Sequence, residues 1–259
     1  MAGSLIERTL GVLEALSEDA NGLPLLVIAE RLDIPKSAAH RICHELIRLG
    51  HVRQDAASQR YQLTTRLVAM SFRYLSSTGA SDIVQPILDR LAEQSGELVR
   101  LSVIEGNRLT WIAKAQGARS GLRYDPDMGK EAPLFCTASG HAWLAALSDE
   151  QALALVDTQG METDHPLGPN APRTKQALLD HLRETRERGY SWTHDSMGPG
   201  TAAMAALVRH PLDGHPQGVL SIAGPSVRLD AERVKELGQA LVTAAQELSQ
   251  ATPTSRLFT

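Results

Sequence analysis

The sequence predicts two domains of different class. The first is an N-terminal all-α winged helix-turn-helix with a small β wing, over residues 1–63. The second is a C-terminal α+β domain with a largely antiparallel sheet, over residues 80–250. Three observations carry this. Three short apolar-periodic stretches separated by turn signals fill the first 50 residues. Two alternating, arginine-bearing segments follow them. Beyond residue 80, helical stretches interleave with strand-like pairs at hairpin spacing. A chain of 259 residues with 42% hydrophobic and 22% charged residues has the length and composition for two packed cores.

The first helix reads over 4–17, with Leu5, Ile6, Leu10, Leu13 and Leu16 on one face. Ser4 caps it, with Glu7 three residues on, as in a capping box. Asn21-Gly22 breaks the chain, and a second helix runs from Leu25 to Leu32. Asp33-Ile34-Pro35 makes a short turn into the third helix, KSAAHRICHELIRLG, which ends at Gly50. Its expected buried stripe is Ala38, Ile42, Leu46 and Leu49; its outer face carries Lys36, Ser37, His40, Arg41, His44 and Arg48. His51-Val52-Arg53 and Arg60-Tyr61-Gln62-Leu63, around DAASQ, pair as a hairpin.

Two short helices joined by a tight turn, the second basic outside and followed by a wing, describe a module that docks on duplex DNA. Helix 35–49 is expected in the major groove, with Lys36, Ser37, His40 and Arg41 facing DNA and Arg53 and Arg60 meeting phosphates. His40 and His44 read equally well as solvated helix-face residues. The net charge of -4 does not itself suggest a nucleic-acid binder, but its distribution does. Through residue 75 there are 9 Lys+Arg against 8 Asp+Glu, and after it 17 against 22. A local basic surface on an acidic chain still binds phosphate, because salt confines each field to about a Debye length.

Residues 64–79 form a further helical stretch, capped by Thr64, with Leu67, Val68, Met70, Phe72, Tyr74 and Leu75 apolar on more than one face. Such a helix needs partners on both sides. The Ser-Ser-Thr-Gly run at 76–79 marks a boundary. Helices are then expected at Ile83–Gln94, Gly140–Leu147, Glu150–Asp157, Lys175–Arg188 and Ala231–Ser249. Strands are expected at Glu97–Ile104, Arg108–Ala115, Gly121–Tyr124, Gly189–His194, Ala202–His210 and Gln217–Gly224. Residues 251–259 read as a loose tail.

In the second domain CTASGHAWLAAL is the most suggestive segment. Thr137 or Ser139 caps a helix whose free N–H groups favour a carboxylate. Ala138 and Ser139 on the helix and Ala203, Ser221 and Ala223 on strands are small and leave space. They also suit plain close packing of helix on sheet, which pattern alone favours. Cys136, His141 and His194-Asp195 raise a second reading, a small-molecule hydrolase with an appended DNA-binding module, but no motif brings them together. Nine histidines show no metal-ligand spacing, and Gly198-Pro199-Gly200 lacks the run of a nucleotide loop, so no metal or cofactor is expected. Two cysteines, no secretory leader pattern and no membrane-length apolar run predict a cytoplasmic protein.

The segments SLIERTLGVLEAL, GLPLLVIAERLDIPKSAAHRICHEL, LGHV and RYQLTTRL resemble the winged helix that opens regulators of the IclR family. GELVRLSVIEGNRLTWIAKAQ, APLFCTASGHAWLAAL, RERGYSW, GPGTAAMAAL and GVLSIAGPSVRL continue the resemblance over nearly the whole chain. It implies a transcription regulator whose partners are double-stranded operator DNA and a small-molecule effector. It also implies a homodimer or homotetramer, with 64–79 as a linker helix contributing to dimerisation and a GAF-like effector domain. The implied pocket lining is Tyr124, Ala138, Ser139, Thr193, Ala203, Ser221 and Ala223, with Leu101, Trp111 and Leu122 closing its apolar side. A small organic acid, with an aromatic one suggested by Tyr124 and Trp111, is the expected ligand. This chain departs from the family pattern at Ala38, where a hydroxyl is usual, at His141, where Lys is frequent, and at Thr193-His194-Asp195-Ser196, where an acidic pair is frequent.

Overall fold

The computed structural model describes residues 4–77, 80–126, 128–254 and 258. The chain divides into two compact units, residues 1–77 and 78–259. The boundary run at 76–79 and the tail at 251–259 therefore lie partly outside the described residues.

In the first unit α1 (Leu5–Ser17) starts on the expected capping box, Ser4 and Glu7 each accepting the other's backbone N–H. α2 (Leu25–Arg31) and α3 (Lys36–Arg48) are joined through Asp33, whose φ of 47° places it in the left-handed region that a short polar side chain tolerates. Strands β1 (Val52–Gln54) and β2 (Tyr61–Leu63) pair antiparallel, Val52 opposite Leu63. Leu23 and Tyr61 exchange both backbone bonds at 2.9 Å, so the α1–α2 loop extends the wing. Gly22 is required there, since a Cβ would meet the Tyr61 carbonyl at 2.3 Å. Val12, Leu16, Ile28, Ala39, Ile42, Cys43, Leu46, Val52 and Tyr61 form the core.

This core corrects the stripe expected on α3. The buried positions are Ala39, Ile42, Cys43 and Leu46, the i, i+3, i+4, i+7 set, while Ala38 is half-buried and Leu49 is exposed. Cys43 packs like any small apolar side chain. α4 (Thr65–Ser77) buries none of its residues within its unit, and Val68, Met70, Phe72 and Tyr74 are exposed.

The second unit runs α5 (Ala80–Ser95), β3 (Leu98–Glu105), β4 (Arg108–Gln116), α6 (Ala138–Leu144), α7 (Asp149–Gln159), α8 (Lys175–Arg188), β5 (Ser191–His194), β6 (Thr201–Arg209), β7 (Pro216–Pro225) and α9 (Ala231–Ala251). Its five strands lie in the order β4-β3-β7-β6-β5, every neighbouring pair antiparallel. Side chains alternate between two cores. On one face Val99, Leu101, Met204, Leu220 and Ile222 meet Leu88 and Leu91 of α5 and Leu237 and Leu241 of α9. On the other, Leu109, Trp111, Ala205 and Val219 meet residues 132–144, α7 and α8.

Three expectations need correction here. No strand forms at 121–124, where the chain bends and Gly121 has a φ of 75°. The outer edge of β4 is instead met by 129–132: Gly129 N–H donates to the Trp111 carbonyl at 2.9 Å and Ala132 N–H to Leu109 at 2.7 Å. The helix expected over 140–147 spans 138–144, because Thr137 and not Ser139 supplies the cap, accepting from Gly140 N–H at 3.0 Å. The tail is anchored at its described residues. Thr252 is buried, Phe258 joins the α5–α9 core, and Gln217 Nε2 donates to the Phe258 carbonyl at 2.6 Å.

Candidate functional site

The outward face of α3 is polar, basic and exposed. Pro35 precedes the helix and no side-chain hydrogen bond caps it; Ala38 N–H donates to the Pro35 carbonyl at 2.9 Å, so among the described residues the N–H groups of Lys36 and Ser37 are the ones left uncapped. Lys36, Ser37, His40, Arg41 and His44 are all exposed, and the rings of His40 and His44 stack with centroids 6.3 Å apart. Arg48 closes this face differently. Its guanidinium is bound to Glu45, and that bond holds the Glu45 carboxyl below the usual carboxylate range.

The two wing arginines are not equivalent. Arg53 is exposed, its Nε donating to Gln62 Oε1 at 3.1 Å. Arg60 is half-buried and donates to the Gly22 carbonyl at 2.7 Å, tying the wing to the α1–α2 loop. One N–H of Arg60 is thus engaged within its own unit, and the expected phosphate contact falls to the rest of its guanidinium.

In the second unit the sheet face toward α6 reads as rows across the strands. Thr193, Ala203, Ala223 and Leu98 are in register, and the next row is Ser191, Ala205, Ser221 and Arg100. α6 packs on β5, β6 and β7. Ser191 Oγ donates to the Ala138 carbonyl at 2.6 Å and Ser196 Oγ to the Cys136 carbonyl at 2.7 Å, fixing the start of the helix over the sheet. Gly140 lies so close to the preceding segment that a Cβ would meet the Leu134 carbonyl at 2.2 Å. Ala138, Ser139, Thr193, Ala203, Ser221 and Ala223 are therefore brought together on one helix start and one sheet face, as expected.

The apolar wall is not as expected. Leu101 points to the opposite face, inside the α5–α9 core, because side chains alternate along β3. Leu122 is 66% exposed in the 117–128 loop, since the strand that was to hold it does not form. Trp111 is on the α6 side, and the Arg100 guanidinium lies 4.0 Å above its ring centroid. Tyr124 is half-buried and close enough to bear on the charge of Arg100.

Arg100 and Ser102 escaped the sequence reading. Arg100 is 5% exposed, and burial pulls its pKa down to about 10. Among the described residues Arg100 Nε, Ser102 Oγ and Trp111 Nε1 are buried without a hydrogen-bond partner. The signal available was an Arg flanked by apolar residues on both sides at the start of LVRLSVIE.

The hydrolase reading fails on geometry. The Cys136 thiol is buried, its polar contact is Met197 Sδ at 3.8 Å, and burial pushes its pKa up to about 12. That is the reverse of an activated nucleophile. His141 Nε2 is bonded to the Phe135 carbonyl at 2.7 Å, and the His194 ring to Asn170 at 2.6 Å. Each candidate is committed elsewhere. Among the described residues no group of three or more His, Cys, Asp or Glu is placed to hold a metal ion, and no helix is long and apolar enough to cross a membrane.

Comparison with known proteins places both units. The family described as IclR helix-turn-helix domain matches residues 5–56, and that described as bacterial transcriptional regulator IclR C-terminal matches residues 72–250. The chain is 29% identical over 249 residues to the acetate operon repressor of Salmonella typhimurium strain LT2, covering 95% of this chain and 89% of that protein. In fold it is similar to the crystal structure of an IclR transcriptional regulator from Alicyclobacillus acidocaldarius, with a TM-score of 0.82 at 24% identity, over 96% of this chain and 98% of that one. It is also similar to an IclR homolog complexed with 4-hydroxybenzoate from Microbacterium hydrocarbonoxydans, with a TM-score of 0.77 at 21% identity, over 97% of this chain and 100% of that one.

Proposed function

Because the chain belongs to the IclR family of bacterial transcription regulators, we propose that it represses its target genes by binding operator DNA as a homodimer or a pair of dimers. In this reading a small organic acid, seated between the start of α6 and the sheet face, changes that binding. The observation that carries it is the division of labour: an exposed basic helix face in one unit and a buried polar row beneath a helix in the other. The exposed apolar side chains of α4 give the protomers a surface to pair through. A two-fold dimer then reads a near-palindromic operator with α3 in successive major grooves. Lys36, Ser37, His40, Arg41 and His44 face the DNA, and Arg53 meets the backbone. The names of relatives support the two remaining choices, one being an operon repressor and another having been crystallised with an aromatic acid. The expected place of action is the cytoplasm.

The ligand acts only through a difference in affinity for two arrangements of the regulator. The test is operator footprinting and gel shift beside calorimetry. Lys36→Ala/Arg41→Ala is expected to lose the footprint, at about 1–3 kcal/mol for each bidentate base contact removed. Ser221→Leu is expected to keep the footprint and lose the response. A double variant that footprints normally overturns the placement of α3, and unchanged ligand affinity in Ser221→Leu overturns the pocket.

A further inference from the structure

A charge taken out of water costs several kcal/mol unless something answers it. β3 carries two such charges, and among the described residues only one is answered. Glu97, 3% exposed at the start of the strand, is bound by the Arg228 guanidinium at 2.5 and 2.9 Å. Arg100, three residues on, is equally buried and among the described residues has no carboxylate and no hydrogen-bonding partner for Nε. The Trp111 ring beneath it offsets only part of the cost, since a cation–π contact contributes about 2 kcal/mol when desolvated.

What surrounds Arg100 is also short of acceptors. Ser102, the next residue on that face of β3, and Trp111, its partner across the β3–β4 pair, have buried Oγ and Nε1 atoms without hydrogen-bond partners among the described residues. An indole N–H and a guanidinium only donate, and a serine hydroxyl can donate. Ser221 stands opposite Arg100 on β7, its Oγ donating to the Arg100 carbonyl at 3.3 Å, with the small Ala205 and Ala203 beyond. Lys114, the other neighbour in the row, is neutralised by Asp125 at 2.6 Å. Thus among the described residues one cation lies unneutralised, with an indole N–H and serine hydroxyls beside it, on a sheet face lined by small residues.

We infer that Arg100 is the anchor and specificity determinant of the effector site, binding the carboxylate of a monoanionic organic acid through its planar guanidinium, with Ser102 and Trp111 as neighbouring donors. The inference rests on the reading of this face as a ligand pocket. It moves the carboxylate from the start of α6 to β3. α6 has only seven residues, and Thr137 already takes the N–H groups of Gly140 and His141. One uncompensated charge selects a monoanion, and a flat two-oxygen group matches the guanidinium fork better than a tetrahedral one.

The experiment uses the full-length regulator and four acids, namely benzoate, 4-hydroxybenzoate, pyruvate and succinate. Each acid is paired with its neutral amide, and inorganic phosphate is added. Thermal unfolding and calorimetry are read on wild type, Arg100→Met and Arg100→Lys. Wild type is expected to be stabilised by at least one acid and not by its amide. Arg100→Met is expected to bind that acid at least about tenfold more weakly, and Arg100→Lys to fall between. Without ligand, Arg100→Met is expected to raise the Tm, because it removes an unanswered buried charge; a merely structural arginine would lower it.

The assignment is overturned if no acid binds wild type, if amide or phosphate binds as well as the acid, or if Arg100→Met binds the acid like wild type. An acid that loses Arg100→Met but leaves operator affinity unchanged sustains the anchor and removes the regulatory reading. A neutral molecule that releases the operator where every acid fails does the opposite.

Discussion

On α3 the cations Lys36 and Arg41 stand in solvent, whereas on β3 the charges of Glu97 and Arg100 are withdrawn from it. The exposed pair costs the fold almost nothing and can turn wholly outward, toward a polyanion. The buried pair commits the fold. Each member must be answered inside the unit or by something that enters it. Glu97 is answered by Arg228, so that pair belongs to the architecture. Arg100 is not answered within the described residues, which makes it a candidate for recognition. Burial alone does not separate a structural charge from a functional one; the presence of its counter-charge does.

The sharpest break of this comparison is at Arg228. Arg228→Met strands Glu97 in the interior and is expected to cost about 3–5 kcal/mol of stability, less whatever water reaches the half-exposed guanidinium site. Arg228→Met/Glu97→Gln is expected to recover most of that loss, because the stranded charge goes with its partner. Urea unfolding of the single and double variants checks this. Should Arg228→Met be as stable as wild type, the distinction drawn between the two charges of β3 fails.

His141 sharpens the same comparison with a group that is buried neutral. Its Nε2 bonds the Phe135 carbonyl, its ring lies 5.3 Å from that of His181, and burial lowers its pKa from 6.5 to about 4. A depressed value means the unfolded chain binds the proton more readily, so acid favours unfolding. Stability is full above pH 6.5, falls progressively below it, and by about pH 4 has dropped by about 3 kcal/mol from this group. His141→Gln keeps a donor for Phe135 and cannot titrate. Its urea midpoint is expected to fall less than that of wild type across the 6.5-to-4 window. Parallel pH profiles for the two proteins would show that other groups carry the acid sensitivity.

What was legible in the sequence follows the same division. Exposed charge on a short amphipathic helix shows as periodicity, so α3, its turn and the wing were found to within a residue or two. The stripe was set one position off at Ala38 because Cys43 was not counted as core. In the second unit the alternation of β3, β6 and β7 gives the order of elements, and the small residues facing α6 are legible from the sequence without their registers. The side of the sheet was harder. Leu101 follows the alternation of β3, but an irregularity in the β3–β4 pairing sets Ala113 opposite Leu101 and Trp111 opposite Ser102, so Trp111 takes the other face. Leu122 was misplaced for a different reason, since Gly121 allowed a bend where a strand was expected. Arg100 is not legible from the sequence, because a single charge between apolar residues reads as an outward residue until its neighbours are seen.

The smallest expected effect tests the comparison within the first unit, where both kinds of arginine sit on one hairpin. Arg53 is exposed on β1 and free to meet a phosphate; Arg60 is half-buried against the Gly22 carbonyl. A phosphate contact adds affinity without sequence preference and releases about one counterion, so Arg53→Ala is expected to weaken operator and non-operator DNA alike and to reduce the salt slope by about 1. Its stability is expected to match wild type. Arg60→Ala removes a hydrogen bond from a charged donor to a backbone carbonyl and is expected to cost about 1–2 kcal/mol of stability. The hairpin it tethers sits beside Leu23 and Tyr61, whose paired backbone bonds hold the wing to the α1–α2 loop. Loosening that tether lowers DNA affinity only through the fraction of protein whose wing is displaced, so the salt slope is expected to stay at the wild-type value. The two measurements, salt titration of binding and urea unfolding, therefore move oppositely for the two arginines. A reduced salt slope in Arg60→Ala would return Arg60 to the phosphate backbone and show that its bond to Gly22 yields when DNA arrives.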